Sequence, residues 1–372
     1  MTAIKTILSL ALSALICISG LFGMTGKKAT GHEDYKTYKN VILMIGDGMG
    51  FNTIAATRKM KTAELAMDNM PVLCESQTRS FTNKVTDSAA GGTALACGVR
   101  TYNGAVGVYL FNPLANYLHV PANLTEVAIE NGKLAGVVTT DKTSGATPAS
   151  FSAHAVARGN EKNISNDQMK SELTLLWGCA SESVTEEKCA KNGFDYITTA
   201  TEMNALEEGS RSFAQFDWDD VAGIKNDNDT PRIAEMTEKA IDLLDDGEDG
   251  FFLMVEGAHI DKNSHSNNFD GATSHLVEFS EAIQAALDYA AQDGETLVLV
   301  TADHETGGIT YNAETDEYYY TTGSHTGVNV PVYVSAADAG FVTGEAYKNC
   351  EISVQLARVM GFDEKQFPRI KN

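Results

Sequence analysis

Residues 41–50 read Val41-Ile42-Leu43-Met44-Ile45-Gly46-Asp47-Gly48-Met49-Gly50: five bulky aliphatic side chains, then a glycine-spaced turn carrying one carboxylate. An aliphatic run of this length without polar alternation has the character of a strand buried on both faces, as in a parallel sheet. The pattern recurs at Ala135-Gly136-Val137-Val138-Thr139, Phe251-Phe252-Leu253-Met254-Val255 and Thr296-Leu297-Val298-Leu299-Val300. Helical periodicity fills the intervals, over roughly 52–68, 122–131, 230–245, 272–291 and 346–360. Strands and helices alternating in this way predict an α/β fold, with a central, mainly parallel β-sheet flanked by helices on both faces. The acidic stretch 205–229 is predicted to be irregular and exposed. No linker is evident, so residues 40–372 read as a single domain.

The ends of the strand runs carry the chemistry. Asp47 follows the first, Glu256 the third, and Asp303 with His304 the fourth. Ligands of open α/β sheets gather at the carboxyl ends of the strands. One acid after one strand would read as a helix cap. Three deliveries to one sheet edge predict a shared metal site.

The chain has 372 residues, with 28 Lys and Arg against 50 Asp and Glu, a net charge of -22. That balance argues against nucleic acid or an anionic membrane surface as a dedicated partner, since both need a basic face. It would also repel an anionic substrate unless bound cations reverse the local sign. Residues 1–23 read as an export signal: Lys5, then an apolar run from Ile7 to Phe22, with a cleavage point near Gly20 or Gly23. Residues 24–39 read as a flexible polar lead-in. A periplasmic or extracellular protein is expected, with a retained membrane anchor as the alternative. Of the five cysteines left after Cys17, Cys179 and Cys189 are the expected disulfide in an oxidising compartment, and Cys97 is expected to pack as a small hydrophobe.

Five segments are specific in combination: Gly46-Asp47-Gly48-Met49-Gly50, Thr86-Asp87-Ser88-Ala89-Ala90, Glu256-Gly257-Ala258-His259-Ile260-Asp261, Thr301-Ala302-Asp303-His304 and His325-Thr326-Gly327. Across about residues 40–361 they resemble, in order, the signature set of the bacterial alkaline phosphatase family. The resemblance implies hydrolysis of phosphate monoesters through a phosphoserine at Ser88, with two zinc ions and one magnesium ion. It implies Asp261, His265 and His325 for the first zinc, and Asp47, Asp303 and His304 for the second. Asp47, Thr147 and Glu256 would hold the magnesium. The donor chemistry agrees, since imidazole and carboxylate suit zinc, and carboxylate, hydroxyl and water suit magnesium. Asp261 and His265, four apart, would share a helix face. The resemblance further implies that Arg158 and Lys262 bind phosphate oxygens, and that the protein is a homodimer. The planar fork of Arg158 suits two oxygens at once.

Bland readings stand beside these. Ser88 or Asp87 would ordinarily cap the helix that the small-residue run 88–96 predicts. His32, His119 and His275 are expected on the surface or in loops. His259 fits a pocket or supporting position, and His154 fits support of ligands by hydrogen bonding. The four carboxylates Asp47, Glu256, Asp261 and Asp303 outnumber Arg158 and Lys262, so a bare pocket would reject phosphate. Three divalent cations reverse that sign, which makes metal obligatory in this reading.

The sequence departs from the family pattern twice. Gly145 stands two residues before Thr147, where relatives commonly carry aspartate or histidine. Lys262 is therefore expected to lack an acidic partner, with magnesium held weakly and product phosphate held firmly. Only twenty residues separate His304 from His325, where many relatives carry a long insertion, so a small cover, an open mouth and little discrimination among leaving groups are expected. Rival readings are a phosphodiesterase or phosphonate hydrolase of the same superfamily, which usually use threonine as nucleophile and lack the Thr147 and Glu256 set. A sulfatase would need a Cys/Ser-x-Pro-x-Arg segment, and none is present. A zinc- or phosphate-binding protein without turnover would not need Ser88 and Arg158.

Overall fold

The aliphatic run at 41–45 lies near the middle of a ten-stranded sheet. In the computed structural model, residues 35–112, 117–223 and 228–371 are described. The strands are β1 (Asn40–Gly46), β2 (Val72–Gln77), β3 (Leu134–Lys142), β4 (Leu175–Cys179), β5 (Asp195–Ile197), β6 (Ser212–Phe216), β7 (Phe251–Gly257), β8 (Thr296–Thr301), β9 (Val330–Val334) and β10 (Ala346–Lys348). Their order across the sheet is β10-β2-β9-β8-β1-β7-β3-β4-β6-β5. The four aliphatic runs are thus four adjacent strands, β8-β1-β7-β3, all parallel. Parallel pairing continues through β4, β6 and β5. Only β9 runs against its neighbours.

Eight helices matter for the site and its support: α1 (Phe51–Lys61), α2 (Ser88–Cys97), α3 (Leu124–Glu130), α4 (Ala146–Ser150), α5 (Ile233–Leu244), α6 (His259–His265), α7 (Phe269–Asp293) and α8 (Asn349–Val359). Side chains alternate across a strand, so β1 and β7 each feed two cores. Ile42, Met44, Leu253 and Val255 pack with Met236 and Ile241 of α5 and Leu276, Phe279 and Ile283 of α7. Phe252, on the other face, stacks on Phe151 at 6.2 Å. Each such fully buried side chain contributes about 1.5–3 kcal/mol. The cost of the buried backbone is met by the ladder, leaving the strand ends rigid enough to carry a site.

Some expectations change. The stretch 205–229 contains β6, buried at all five positions, and a short helix, Trp218–Ala222, capped by Asp217. A strand covered on both faces shows no alternation, and this one is framed by acidic segments that mask it. Lys36–Lys39 are not loose: Lys36 N–H donates to Asp338 O at 2.9 Å, Tyr38 N–H to Val359 O at 2.7 Å, and the Tyr38 ring is buried. The expected export signal, with Cys17 and His32, lies outside the described residues. Among the described residues no helix is long and apolar enough to cross a membrane. The expected disulfide is absent, because Cys179 and Cys189 are both free and buried. Cys179 Sγ turns from the end of β4 toward Thr140 O, 3.4 Å away. Cys97 is buried as expected.

Candidate active site

Register aligns the strand ends that carry the acids. Ile45 on β1 lies beside Glu256 on β7 and Thr301 on β8, so Asp47, Glu256 and Asp303 emerge together. Gly48 has a φ of +73°, and a Cβ there would meet Asp261 Cα at 2.9 Å. Only glycine allows the β1 turn to pass this close to α6. Helix α6 then presents Asp261 and His265 one turn apart. A two-stranded ladder, Glu305–Thr306 with His325–Thr326, pairs Thr306 with His325 and carries that histidine back over His304. The two rings stack at 3.6 Å.

Three imidazoles point the same kind of atom inward. His265 Nδ1 lies 2.8 Å from Gly323 O, and His325 Nδ1 lies 3.0 Å from Thr86 O. A carbonyl only accepts, so each Nδ1 carries a proton and, in the neutral ring, each Nε2 is bare. Those bare nitrogens face each other at 3.1 Å. The Thr306 hydroxyl donates to Asp261 Oδ1 at 2.5 Å and receives His304 Nδ1 at 3.2 Å, which leaves His304 Nε2 bare as well. That nitrogen sits 3.1 Å from Asp303 Oδ2 and 3.5 Å from Asp47 Oδ1. Lone pairs facing lone pairs at these distances repel unless a cation lies between them.

The carboxylates show the same need. Eight buried polar side-chain atoms among the described residues lack a hydrogen-bond partner, and four of them are Asp47 Oδ1, Thr147 Oγ1, Glu256 Oε1 and Asp303 Oδ2. Such orphans cost about 1–3 kcal/mol each, more when charged. Burial and then the charges of Asp303 and Asp261 hold the Asp47 carboxyl well above its usual range. Burial and then Asp141 push Glu256 up to about 8, and burial and then Asp261 push Asp303 up to about 7. Burial, followed by the nearby His325 and Arg158, holds His304 far below its usual value, hence neutral. Ligand atoms of Asp261, His265 and His325, and of Asp47, Asp261 and His304, fall within 4.8 Å of one another in each group. These residues fit divalent cations. Asp303 stands outside the second group but borders it through His304, and Asp261 reaches toward both.

Ser88 is the first residue of α2 and does not cap that helix. Asp87 is the cap, accepting from Ala90 N at 3.0 Å. The buried Ser88 hydroxyl is left facing His304 Nε2 at 3.2 Å. Arg158 lies in a turn, partly exposed, and donates to Asp87 Oδ2 at 3.4 Å. Asp87 thus ties the arginine to the serine's helix. A depression of about 610 Å³ opens beside them, lined by Lys84, Val85, Thr86, Asp87, His265 and His325 among others.

The expected gap beside Lys262 is filled. Lys262 Nζ lies 3.0 Å from Asp141 Oδ2, so the lysine has an acidic partner. The acid comes from the end of β3, four residues before Gly145.

A family model described as alkaline phosphatase matches residues 38–182 and 181–322, nearly the whole span of these elements. The chain belongs to the alkaline phosphatase family. It is 37% identical over 322 residues to alkaline phosphatase 4 of Bacillus subtilis, covering 80% of this chain and 68% of that protein. It is 30% identical over 352 residues to the alkaline phosphatase of Escherichia coli, covering 76% and 74%. The solved alkaline phosphatase of the Antarctic bacterium TAB5 superposes with a TM-score of 0.75 at 31% identity, covering 89% of this chain and all of that one. Variants of that enzyme with a histidine replaced by aspartate or glutamate carry magnesium in its M3 site.

Within this member of the alkaline phosphatase family, the remaining histidines sort by their contacts. His259 is buried, with Nε2 at 3.0 Å from Thr140 O and its ring 4.9 Å from His275. His275 is buried on α7 and pairs with Glu278 at 3.0 Å, which corrects its expected surface placement. His119 stacks on Tyr109 in a strand pair away from the sheet. His154 bonds Gly107 O at 2.6 Å and Glu126 Oε1 at 3.0 Å, touching none of the ligand set. Sequence reasoning missed Thr306, Thr139 and Asp141. Thr139 donates to Glu256 Oε2 from the neighbouring strand, a contact that register alone would have shown.

Proposed function

We propose that this alkaline phosphatase family member hydrolyses phosphate monoesters through a phosphoserine at Ser88. In this reading Asp261, His265 and His325 hold one zinc ion; Asp47, Asp303 and His304 hold a second. Asp47, Thr147 and Glu256 hold magnesium. When bound, these cations supply positive charge that acidifies a hydroxyl or water and neutralises phosphoryl oxygens. Ser88 Oγ forms the bond to phosphorus while the ester alcohol leaves, and water then cleaves the Oγ–P bond to release inorganic phosphate. Free N–H groups at the start of α2 favour the phosphoryl anion beside Ser88. Arg158, held on Asp87, offers two donors to the non-bridging oxygens. Lys262 adds a second positive charge on the α6 side. The observation that carries this reading is the buried Ser88 hydroxyl, 3.2 Å from a bare His304 nitrogen, among carboxylate atoms with no partner.

The test compares p-nitrophenyl phosphate with its bis-ester and with p-nitrophenyl sulfate, before and after chelation and with zinc and magnesium returned. Monoester turnover should dominate, vanish on chelation and return with metal. Ser88→Ala should lower it by about 10³-fold or more. Undiminished turnover in rigorously zinc-free protein, or preference for the bis-ester, would sink the reading. Between the ladder strands Glu305–Thr306 and His325–Thr326 lies the short hairpin Thr310–Asn312 with Glu317–Tyr319, which supports broad leaving-group tolerance. Export to the periplasm or medium rests on Lys5 and the Ile7–Phe22 run, and N-terminal sequencing of secreted protein tests it. A homodimer rests on family membership, and sedimentation tests it.

A further inference from the structure

We propose that Asp141, aimed inward by a bulge in β3, is the positioning carboxylate that orients Lys262 and braces the Thr147–Glu256 cation site, in the space that Gly145 leaves open. The proposal rests on the assignment of Thr147 and Glu256 to a cation.

The backbone explains how a strand residue reaches that point. Pairing of β3 with β4 is regular through Val138 and resumes only at Lys142 opposite Cys179. Such an irregularity re-aims a side chain, and irregularities of this kind recur beside active sites. The turn is fixed locally: Asp141 N–H donates to Thr139 Oγ1 at 2.8 Å, and Lys142 N–H donates to Asp141 Oδ1 at 2.8 Å. Asp141 Oδ2 is left for Lys262 at 3.0 Å, with the acid's side chain 15% exposed. The Thr139 hydroxyl that receives Asp141 N–H itself donates to Glu256. Glu256, Thr139, Asp141 and Lys262 therefore form one continuous chain of contacts.

Gly145 supplies the complementary half. A Cβ built there would lie 2.5 Å from Asp141 Oδ2 and 2.8 Å from its Cγ. A side chain at 145 and Asp141 in its present position exclude each other. The glycine is thus no simple loss of a ligand support. It makes room for a carboxylate delivered from a different place in the chain. Because Asp141 takes up part of the charge of Lys262, it also keeps that lysine from gripping product phosphate.

Zinc-loaded protein stripped of magnesium, titrated with Mg²⁺ in a calorimeter, reads the role directly. Asp141→Asn should weaken magnesium by about tenfold or more, the scale of lost support for metal ligands. It should also strengthen inhibition by inorganic phosphate several-fold and lower kcat and KM together, a split that general loosening would not give. Gly145→Asp alone should weaken magnesium, since it displaces Asp141. The transposed pair Asp141→Ala with Gly145→Asp should recover most of the affinity, after a small shift of the Lys142 carbonyl, whose oxygen lies 2.9 Å from that Cβ. Magnesium affinity and phosphate inhibition in Asp141→Asn within twofold of wild type overturn the proposal. Should that variant not fold, a transposed pair no better than tenfold below wild type overturns it. If Thr147→Val leaves wild-type magnesium binding untouched, the cation-site assignment fails instead, and the two failures are distinct.

Discussion

The cluster of Asp47, Glu256 and Asp303 and the cluster of Glu126, His154 and Lys371 both withdraw charge from water, on opposite terms. Glu126 Oε1 receives Lys371 Nζ and lies 3.0 Å from His154 Nε2, and Oε2 accepts from Asn123 N at 3.1 Å. Burial would raise this carboxyl, yet His154 and Lys371 bring it down to about 2. At the strand ends burial and neighbouring carboxylates act in the same direction, and three acids are pushed up. Partnered buried charge is scaffold. Buried like charge with open lone pairs is kept for something that arrives later. His154, by its contacts, belongs to the first kind.

The largest expected effect separates function from stability within one residue. Asp303→Asn should lower monoesterase kcat/KM by about 10³-fold or more. In chelator the same variant should melt no lower than wild type, because it removes repulsion rather than a bond. A clearly lower melting temperature in chelator would place Asp303 with the scaffold and break the contrast.

The next effect concerns pH. Glu256 moves from the usual 4.5 to about 8, and Asp303 from 3.8 to about 7, in the metal-free fold. Values raised above those of the unfolded chain mean that the protonated forms favour the fold. Their contribution is full below about pH 4 and is lost as pH rises through 7–8. Melting scans in chelator should therefore fall by several degrees between pH 5 and 8, and saturating zinc and magnesium should flatten that fall. A flat chelator profile would mean the strand-end charges are already compensated within the protein.

The smallest effect lies in the partnered cluster, with the sign reversed. Glu126→Gln should cost about 2 kcal/mol at pH 7, the worth of hydrogen bonds to a charged group. The folded value of about 2 lies below the usual 4.5, so this stability is present above pH 4.5 and disappears as pH falls toward 2. Urea unfolding at several pH values measures it, while kcat/KM with full metal stays unchanged. A loss of activity equal to that of Asp303→Asn would erase the distinction between the clusters.

The sequence made the strand-end cluster readable because its supports are continuous aliphatic runs. All four runs are adjacent parallel strands, and a both-face-buried strand has no other way to look. The acids after them needed only the rule that carboxyl ends converge. Asp141 escaped notice because a bulge, invisible in residue types, turns it inward, while motif spacing drew attention to Gly145 instead. Strand β6 was hidden by its acidic neighbours and by burial on both faces. The Cys179–Cys189 expectation rested on short separation within a polar stretch and on an oxidising compartment, whereas Cys179 faces β3. His275 is buried by packing between helices, which periodicity does not resolve for a ring with two polar atoms. Thr306 was passed over because a lone threonine has no signal until its two contacts are seen.

The ladder of Glu305–Thr306 with His325–Thr326 closes the base of everything between them, and Glu305 fastens it by accepting from Ile309 N at 3.1 Å and from the Thr326 hydroxyl. What rises above that stem is tied back to α1, by Lys59 on Asp316 and by Asn52 Nδ2 donating to Ile309 O at 2.7 Å. Grafting a longer segment in place of 310–319 would alter those contacts while the stem keeps His325 stacked on His304. Chain length in this interval can therefore vary at its far end while the stem, pinned by Glu305, holds the two stacked rings in place.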